Sequence, residues 1–153
     1  MNNKQLEKIA KSVRKTVFEF KTRDGIGHLH SSLSPVDVLV SLFYDDKTIF
    51  NHEEDIVIFG KAHGSPSIYP ILADLGYFPK DELEKYCRPE GILRLHSDWT
   101  IPGCHFVGGS LGNGIGYASG LAQAQPNKNI YIIIYFINIF INTIFYCCWL
   151  LIY

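Results

Sequence analysis

Three histidines, each beside a glycine or a serine, are the residues best placed by type to do chemistry in this chain. They are His28 in GHLHSS, His63 in KAHGSP and His96 in RLHSDW. Imidazole titrates near neutral pH, so a ring held in a loop can donate a hydrogen bond or carry a proton. Each ring could equally cap or brace the loop that bears it. Three of them in three separate loops point to a shared site, because loops that join the elements of a parallel sheet gather at one sheet edge. His30, His52 and His105 have weaker surroundings and read as structural. A fourth stretch, VGGSLGNGIGYASG, holds glycines just ahead of a helical segment. Backbone N–H groups there could approach an anion, or the glycines could serve close packing, and both readings stay open. Gly112 and Gly114 supply the first two glycines of a G-x-G-x-x-G but not its last, and they follow a long loop rather than a strand, which argues against a dinucleotide turn.

The elements that must position these residues follow from periodicity. Leu6, Ile9, Ala10, Val13, Val17 and Phe20 mark one face of an amphipathic helix. KTRDGIGHLHSS breaks that period and predicts a loop. SPVDVLVSLFY predicts a second helix, with Ser34 as N-cap, Pro35 at the first helical position and Asp37 three residues after the cap. EDIVIFG reads as a buried strand ended by glycine, and KAHG as the loop after it. SPSIYPILADLGY predicts a helix with an apolar stripe of Ile68, Ile71, Leu72 and Leu75 and a stop at Gly76. PKDELEKYC reads as a short exposed helix, the segment from Arg88 to Gly109 as a long loop, SLGNGIGYASGLAQAQ as a helix of small residues and NIYIII as a strand. The fold class this implies is α/β: a partial, incomplete parallel sheet with flanking helices, followed by an apolar C-terminal tail.

Composition excludes some partners. Lys and Arg number 14 against 15 Asp and Glu, for a net charge of −1, and the signs are interleaved, so no nucleic-acid partner is expected. The opening MNNKQLEKIAKSVRK is too polar for a secretory signal. Cys87, Cys104, Cys147 and Cys148 fit no metal-site spacing, so free thiols in a cytoplasmic protein are expected.

Taken together, GHLHSSLSPVDVLVSLFY, IFGKAHGSPSIYPILADLGYFPKDELEKY, LHSDWTIPG and GGSLGNGIGYASGLA resemble, in order and spacing, the N-terminal part of transketolases. The likeness runs over about residues 8–134. It implies a thiamine-diphosphate-binding fold that holds the cofactor's pyrophosphate through Mg²⁺ or Ca²⁺. It also implies a dimer or a partner chain carrying a pyrimidine-binding domain, and transfer of a two-carbon ketol unit between sugar phosphates. His28 then aligns with a histidine that contacts substrate and helps proton transfer, and His96 with a substrate-facing histidine. His63 aligns with a histidine near the pyrophosphate, and Gly109, Ser110 and Leu111 with the segment lying along the cofactor. Three departures stand out. Ala62 replaces a glycine, Leu95 and Ser97 flank His96 where glycine and proline are usual, and GHLHSS lacks a following Pro-Gly. The last of these resembles the split or shorter relatives.

The resemblance stops after the NIYIII strand. The family continues there with Gly-Asp-Gly-Glu and, further on, an asparagine; that aspartate and asparagine hold the metal, a hard cation needing oxygen ligands. Tyr135 and Phe136 stand there instead, and no Asp or Glu follows Asp98, so no residue is assigned as a metal ligand. Residues 129–153 carry no charge at all. Three readings of them stay open: a membrane anchor over 130–153, an out-of-frame AT-rich stretch, or a buried strand followed by a hydrophobic helix. The expected organisation is an incomplete domain at 1–134 and a low-complexity tail at 135–153. The expected function is an N-terminal transketolase fragment, inactive as this chain alone. The alternative is a membrane-anchored, non-catalytic binding module.

Overall fold

The computed structural model describes residues 1–46, 50–51, 54–110, 112–134 and 148–152, the last five by backbone only. The chain opens with α1 (Asn3–Asp24), where the Asn2 side chain accepts from Gln5 N and Gln5 reciprocates at the Asn2 N–H. Gly25 ends the helix at φ 67°, a left-handed conformation that costs glycine little. The predicted stripe is the buried face, with Ala10, Val13, Val17 and Phe20 all inside. The loop expected after it is shorter than the sequence suggests, because α1 runs through Asp24 and LHSSL forms a short helix, α2 (Leu29–Leu33).

Helix α3 (Val36–Tyr44) starts one residue later than predicted. Pro35 takes the N-cap position and makes no side-chain cap bond. Ser34 instead closes α2, and its hydroxyl accepts a 2.7 Å bond from Lys61 Nζ. A tertiary partner has replaced the local one.

Strand β1 (Ile56–Phe59) is buried throughout. A 3₁₀ segment over Ala62–Ser67 follows where the sequence suggests a plain loop, then α4 (Tyr69–Asp74). Gly76 turns the chain at φ 85°, as its position predicts. Lys80–Lys85 is 3₁₀ with no buried residue, α5 is Asn113–Ala124, and β2 is Ile130–Ile134. β1 and β2 pair in parallel, Ile56 opposite Ile130 through Phe59 opposite Ile133.

Alternate strand residues face two cores. Val57, Phe59, Tyr131 and Ile133 join the side chains of α1, α3 and α4, whereas Ile56, Ile58, Ile130 and Ile132 pack with Ala118 of α5 and Phe106. Helices on both faces explain why these strands are continuous apolar runs rather than alternating ones. Fully burying a side chain such as Phe20, stacked 4.4 Å from Tyr86, contributes about 1.5–3 kcal/mol.

The anchor reading counted residues 130–134 in a membrane helix. They form β2 instead, since a β-branched run gains ladder hydrogen bonds and two-sided burial in the sheet. A third strand, β3 (Cys148–Ile152), pairs antiparallel with β2, which gives the strand order β1-β2-β3. Among the described residues no helix is long and apolar enough to cross a membrane. Positions 135–147 and 153 lie outside the described residues, as does His52.

Candidate active site

The three predicted histidines meet. His28 stands at the N-terminus of α2, His63 in the 3₁₀ segment after β1, and His96 in the long loop before α5. The His28 and His63 rings lie 4.5 Å apart edge to face, and His63 and His96 lie 4.9 Å apart in the same manner. One ring nitrogen from each lies within 4.8 Å of the other two. His28 is exposed, and His63 and His96 are half-buried.

Among the described residues, no hydrogen bond from these rings braces their own loops. His28 occupies an N-cap position but its side chain makes no cap bond. His96 Nε2 is buried without a hydrogen-bond partner among the described residues. Buried ring nitrogens are ordinarily satisfied, so an unsatisfied one on a ring of this cluster favours a ligand nearby.

Electrostatics favour neutral rings. Burial lowers the pKa of His63, and His28 and Lys61 lower it further. Burial also lowers that of His96, with smaller contributions from His63 and His28. Near pH 7 both rings are therefore imidazoles, each with one donor and one acceptor nitrogen.

Small polar residues that sequence reasoning passed over hold the cluster together. The Ser32 hydroxyl reaches two carbonyls, His28 O at 3.0 Å and His63 O at 3.3 Å, and so ties two of the three histidine segments to each other. Ser65 does the same for the third: its Oγ donates to Ala62 O at 2.6 Å and accepts from Ser97 N at 2.8 Å. Tyr69 donates from its hydroxyl to Arg94 O at 2.8 Å, fixing the His96 loop two residues upstream. Lys61 is almost wholly buried. The only signal in the sequence is that each serine lies within four residues of a predicted histidine.

Gly60 lets the chain leave β1 close to α5, since a Cβ on Gly114 would sit 3.0 Å from Gly60 Cα. Gly108 is likewise pressed on Ala62, where a Cβ would approach to 2.9 Å. The two open readings of the glycine stretch thus divide by position. Gly108 and Gly114 serve close packing. At Gly109 a Cβ would meet nothing within 4 Å, and Gly109 and Ser110 are exposed beside the His63 turn. Leu111, the third residue predicted there, lies outside the described residues. His30 and His105 are exposed and do not join the cluster.

Known proteins are similar to this chain in sequence and in fold. A family model described as 1-deoxy-D-xylulose-5-phosphate synthase matches residues 1–135. One of the subunits of the apulose-4-phosphate transketolase of Actinobacillus succinogenes is 35% identical over 131 residues, covering 81% of this chain and 48% of that protein. The 6-deoxy-6-sulfo-D-fructose transketolase subunit SqwG of a Clostridium species is 36% identical over 125 residues, covering 78% and 46%. The chain thus spans about half the length of these relatives. In fold it is similar to the transketolases of Campylobacter jejuni (TM-score 0.74, 23% identity, 88% of this chain and 24% of that one) and Leishmania mexicana (TM-score 0.71, 22% identity, 85% and 22%).

Proposed function

This chain belongs to the transketolase family, whose N-terminal domain it matches, and from that premise we propose that it forms the diphosphate-binding half of a thiamine-diphosphate site. A partner chain supplies the pyrimidine-binding half, and the assembly moves a two-carbon ketol unit between sugars or sugar phosphates. Two of the relatives are named as subunits of apulose-4-phosphate transketolases rather than as whole enzymes, which supports a partner. The observation that carries the reading is the convergence of His28, His63 and His96 beyond the end of β1, with a buried, unpartnered nitrogen on His96.

The residues present fit the cofactor. His63 and the exposed backbone of Gly109 and Ser110 would hold the diphosphate, and the open space at Gly109 leaves room for it. When bound, thiamine diphosphate supplies the nucleophile and electron sink that ketol transfer needs. His28 and His96 face the substrate, where imidazole nitrogens donate to its hydroxyls or take protons from them. Ser32 and Ser65 act as positioning residues, since they fix the histidine backbones.

The residues do not fit the family's bridging cation. Tyr135 and Phe136 follow β2 where the resemblance calls for Gly-Asp-Gly, and no carboxylate side chain lies beyond Asp98. A diphosphate facing only imidazoles and amides keeps much of its charge uncompensated. We therefore infer that this polypeptide acting alone gives no ketol transfer. The free thiols Cys87 and Cys104 suit a reducing cytoplasm.

Equilibrium dialysis of thiamine diphosphate against the full chain, with and without Mg²⁺ and with a half-length relative's second subunit, tests both statements. The expected result is weak binding by the chain alone, little changed by Mg²⁺, lost in His63→Ala and strengthened by the second subunit. No binding under any condition overturns the cofactor reading. Ketol transfer by the purified chain alone overturns the inactivity.

A further inference from the structure

We propose that His28, His63 and His96 form a binding site for a borderline divalent transition metal of the Zn²⁺ class, with three imidazole ligands and a fourth position open to solvent. The inference goes beyond the cofactor reading and does not depend on it.

The ligand set is all nitrogen. One nitrogen from each ring lies within 4.8 Å of the other two, and the rings come from three different segments, so closing on an ion would cross-link them. A point equidistant from three atoms at that spacing is about 2.8 Å from each, against about 2.0–2.1 Å for a zinc–nitrogen bond. Each ring must therefore advance by less than about 1 Å, within reach of small side-chain rotations. The rings meet edge to face rather than stacked, which allows ring edges, where the lone pairs lie, to turn toward a common point. His96 also keeps one ring nitrogen, Nε2, buried and unpartnered among the described residues. His28 is exposed, so the fourth position opens outward. Three imidazoles with no carboxylate select Zn²⁺, Co²⁺, Ni²⁺ or Cu²⁺ over Mg²⁺ or Ca²⁺, which demand oxygen. Backbone supports stand behind the site: Ser32 ties the His28 and His63 segments, and Ser65 ties Ser97 beside His96. One feature opposes it. Lys61, buried two residues before His63, places a positive charge near that ring. The expected affinity is accordingly micromolar rather than that of a closed structural zinc site.

The test is a Co²⁺ titration of the full chain, free of thiamine diphosphate, read in the visible absorption bands that report coordination number, followed by displacement with Zn²⁺. One Co²⁺ per chain with the intense bands of a four-coordinate ion is expected. His63→Ala and His28→Gln should each weaken binding by about tenfold or more, while His105→Ala should bind as the parent does. His28 is exposed, so its variant remains informative if His63→Ala fails to fold; circular dichroism checks both. The absence of a stoichiometric band, or parental affinity in either folded cluster variant, would overturn the proposal, as would an equal loss in His105→Ala. Because no cofactor is present, none of these outcomes bears on whether thiamine diphosphate binds.

Discussion

In the turn after β1, Gly64 is hemmed in: a Cβ there would lie 3.0 Å from Ser31 O and 3.1 Å from the Phe59 ring. At Gly109, in the loop before α5, a Cβ would meet nothing within 4 Å. Both glycines lie in segments assigned to one site, yet they answer to different demands. The β1 turn is shaped by this chain's own packing, with Lys61, Gly64, Ser65 and Ser67 all buried and both serines bonded to carbonyls within the turn. The glycine loop receives no such shaping at Gly109 and Ser110. The histidine half of the site is thus preorganised by the fold, and the glycine half takes its contacts from elsewhere, which in the proposed function is the cofactor.

The largest expected effect breaks the preorganised half. Gly64→Ala drives a methyl against a backbone oxygen and an aromatic ring that is itself in the core, so the turn must shift. A loss of about 1–3 kcal/mol in chemical denaturation is expected, the range for overpacking a filled interior. Parental stability would mean that the turn is looser than its packing indicates. Ser65→Ala should come next. It leaves the buried Ser97 N–H without its acceptor, at about 1–3 kcal/mol, and frees the His96 loop. Cα chemical shifts of residues 95–98 should move with it, whereas a variant that loses stability without moving them would assign Ser65 a purely local role.

A smaller effect separates the halves by pH. The folded chain holds His63 and His96 below the ordinary value of 6.5, so it binds fewer protons there than the unfolded chain does. Stability is then fully present above about 6.5 and falls as the pH drops from 6.5 through the lowered folded-state values. Asp74, lowered first by its bond from Lys80, acts in a separate window, below its ordinary 3.8. Urea midpoints between pH 7.5 and 5.5 should decline in the parent and decline less in His63→Gln. An unchanged slope in that variant would place the titration elsewhere.

Much of this is legible in the sequence, and the misses share a cause. The α1 stripe, the two strands, Gly76 and the three-histidine cluster all follow from periodicity or from local residue types, which act within a few positions. Local spacing makes Ser34 the cap of α3, but it instead accepts from Lys61, 27 positions away. The short helix Leu29–Leu33 and the 3₁₀ turn Ala62–Ser67 hold no period long enough to detect, and a serine of the one bonds to the backbone of the other. The glycine stretch cannot be apportioned between packing and ligand from sequence, because a glycine looks the same whether a neighbour presses on it or nothing does.

Gly109→Ala sharpens that apportionment, and its expected effect on stability is the smallest. Gly109 has no left-handed backbone and no neighbour within 4 Å of a Cβ, so the folded chain has no reason to notice the methyl. The denaturation midpoint should stay within about 0.5 kcal/mol of the parent, as for substitutions at open surface positions. If the loop's glycine serves a ligand, the same variant should weaken thiamine diphosphate binding in the assembly with a second subunit, because a Cβ holds the ligand away from the backbone amides. Gly114→Ala makes the control. Its methyl would approach Gly60 Cα at 3.0 Å, so it should lose stability through helix–strand separation. A Gly109 variant that destabilises the chain as much as the Gly114 variant would remove the contrast between the two halves. A stable Gly109 variant that binds as the parent does would keep the contrast and take Gly109 out of the site.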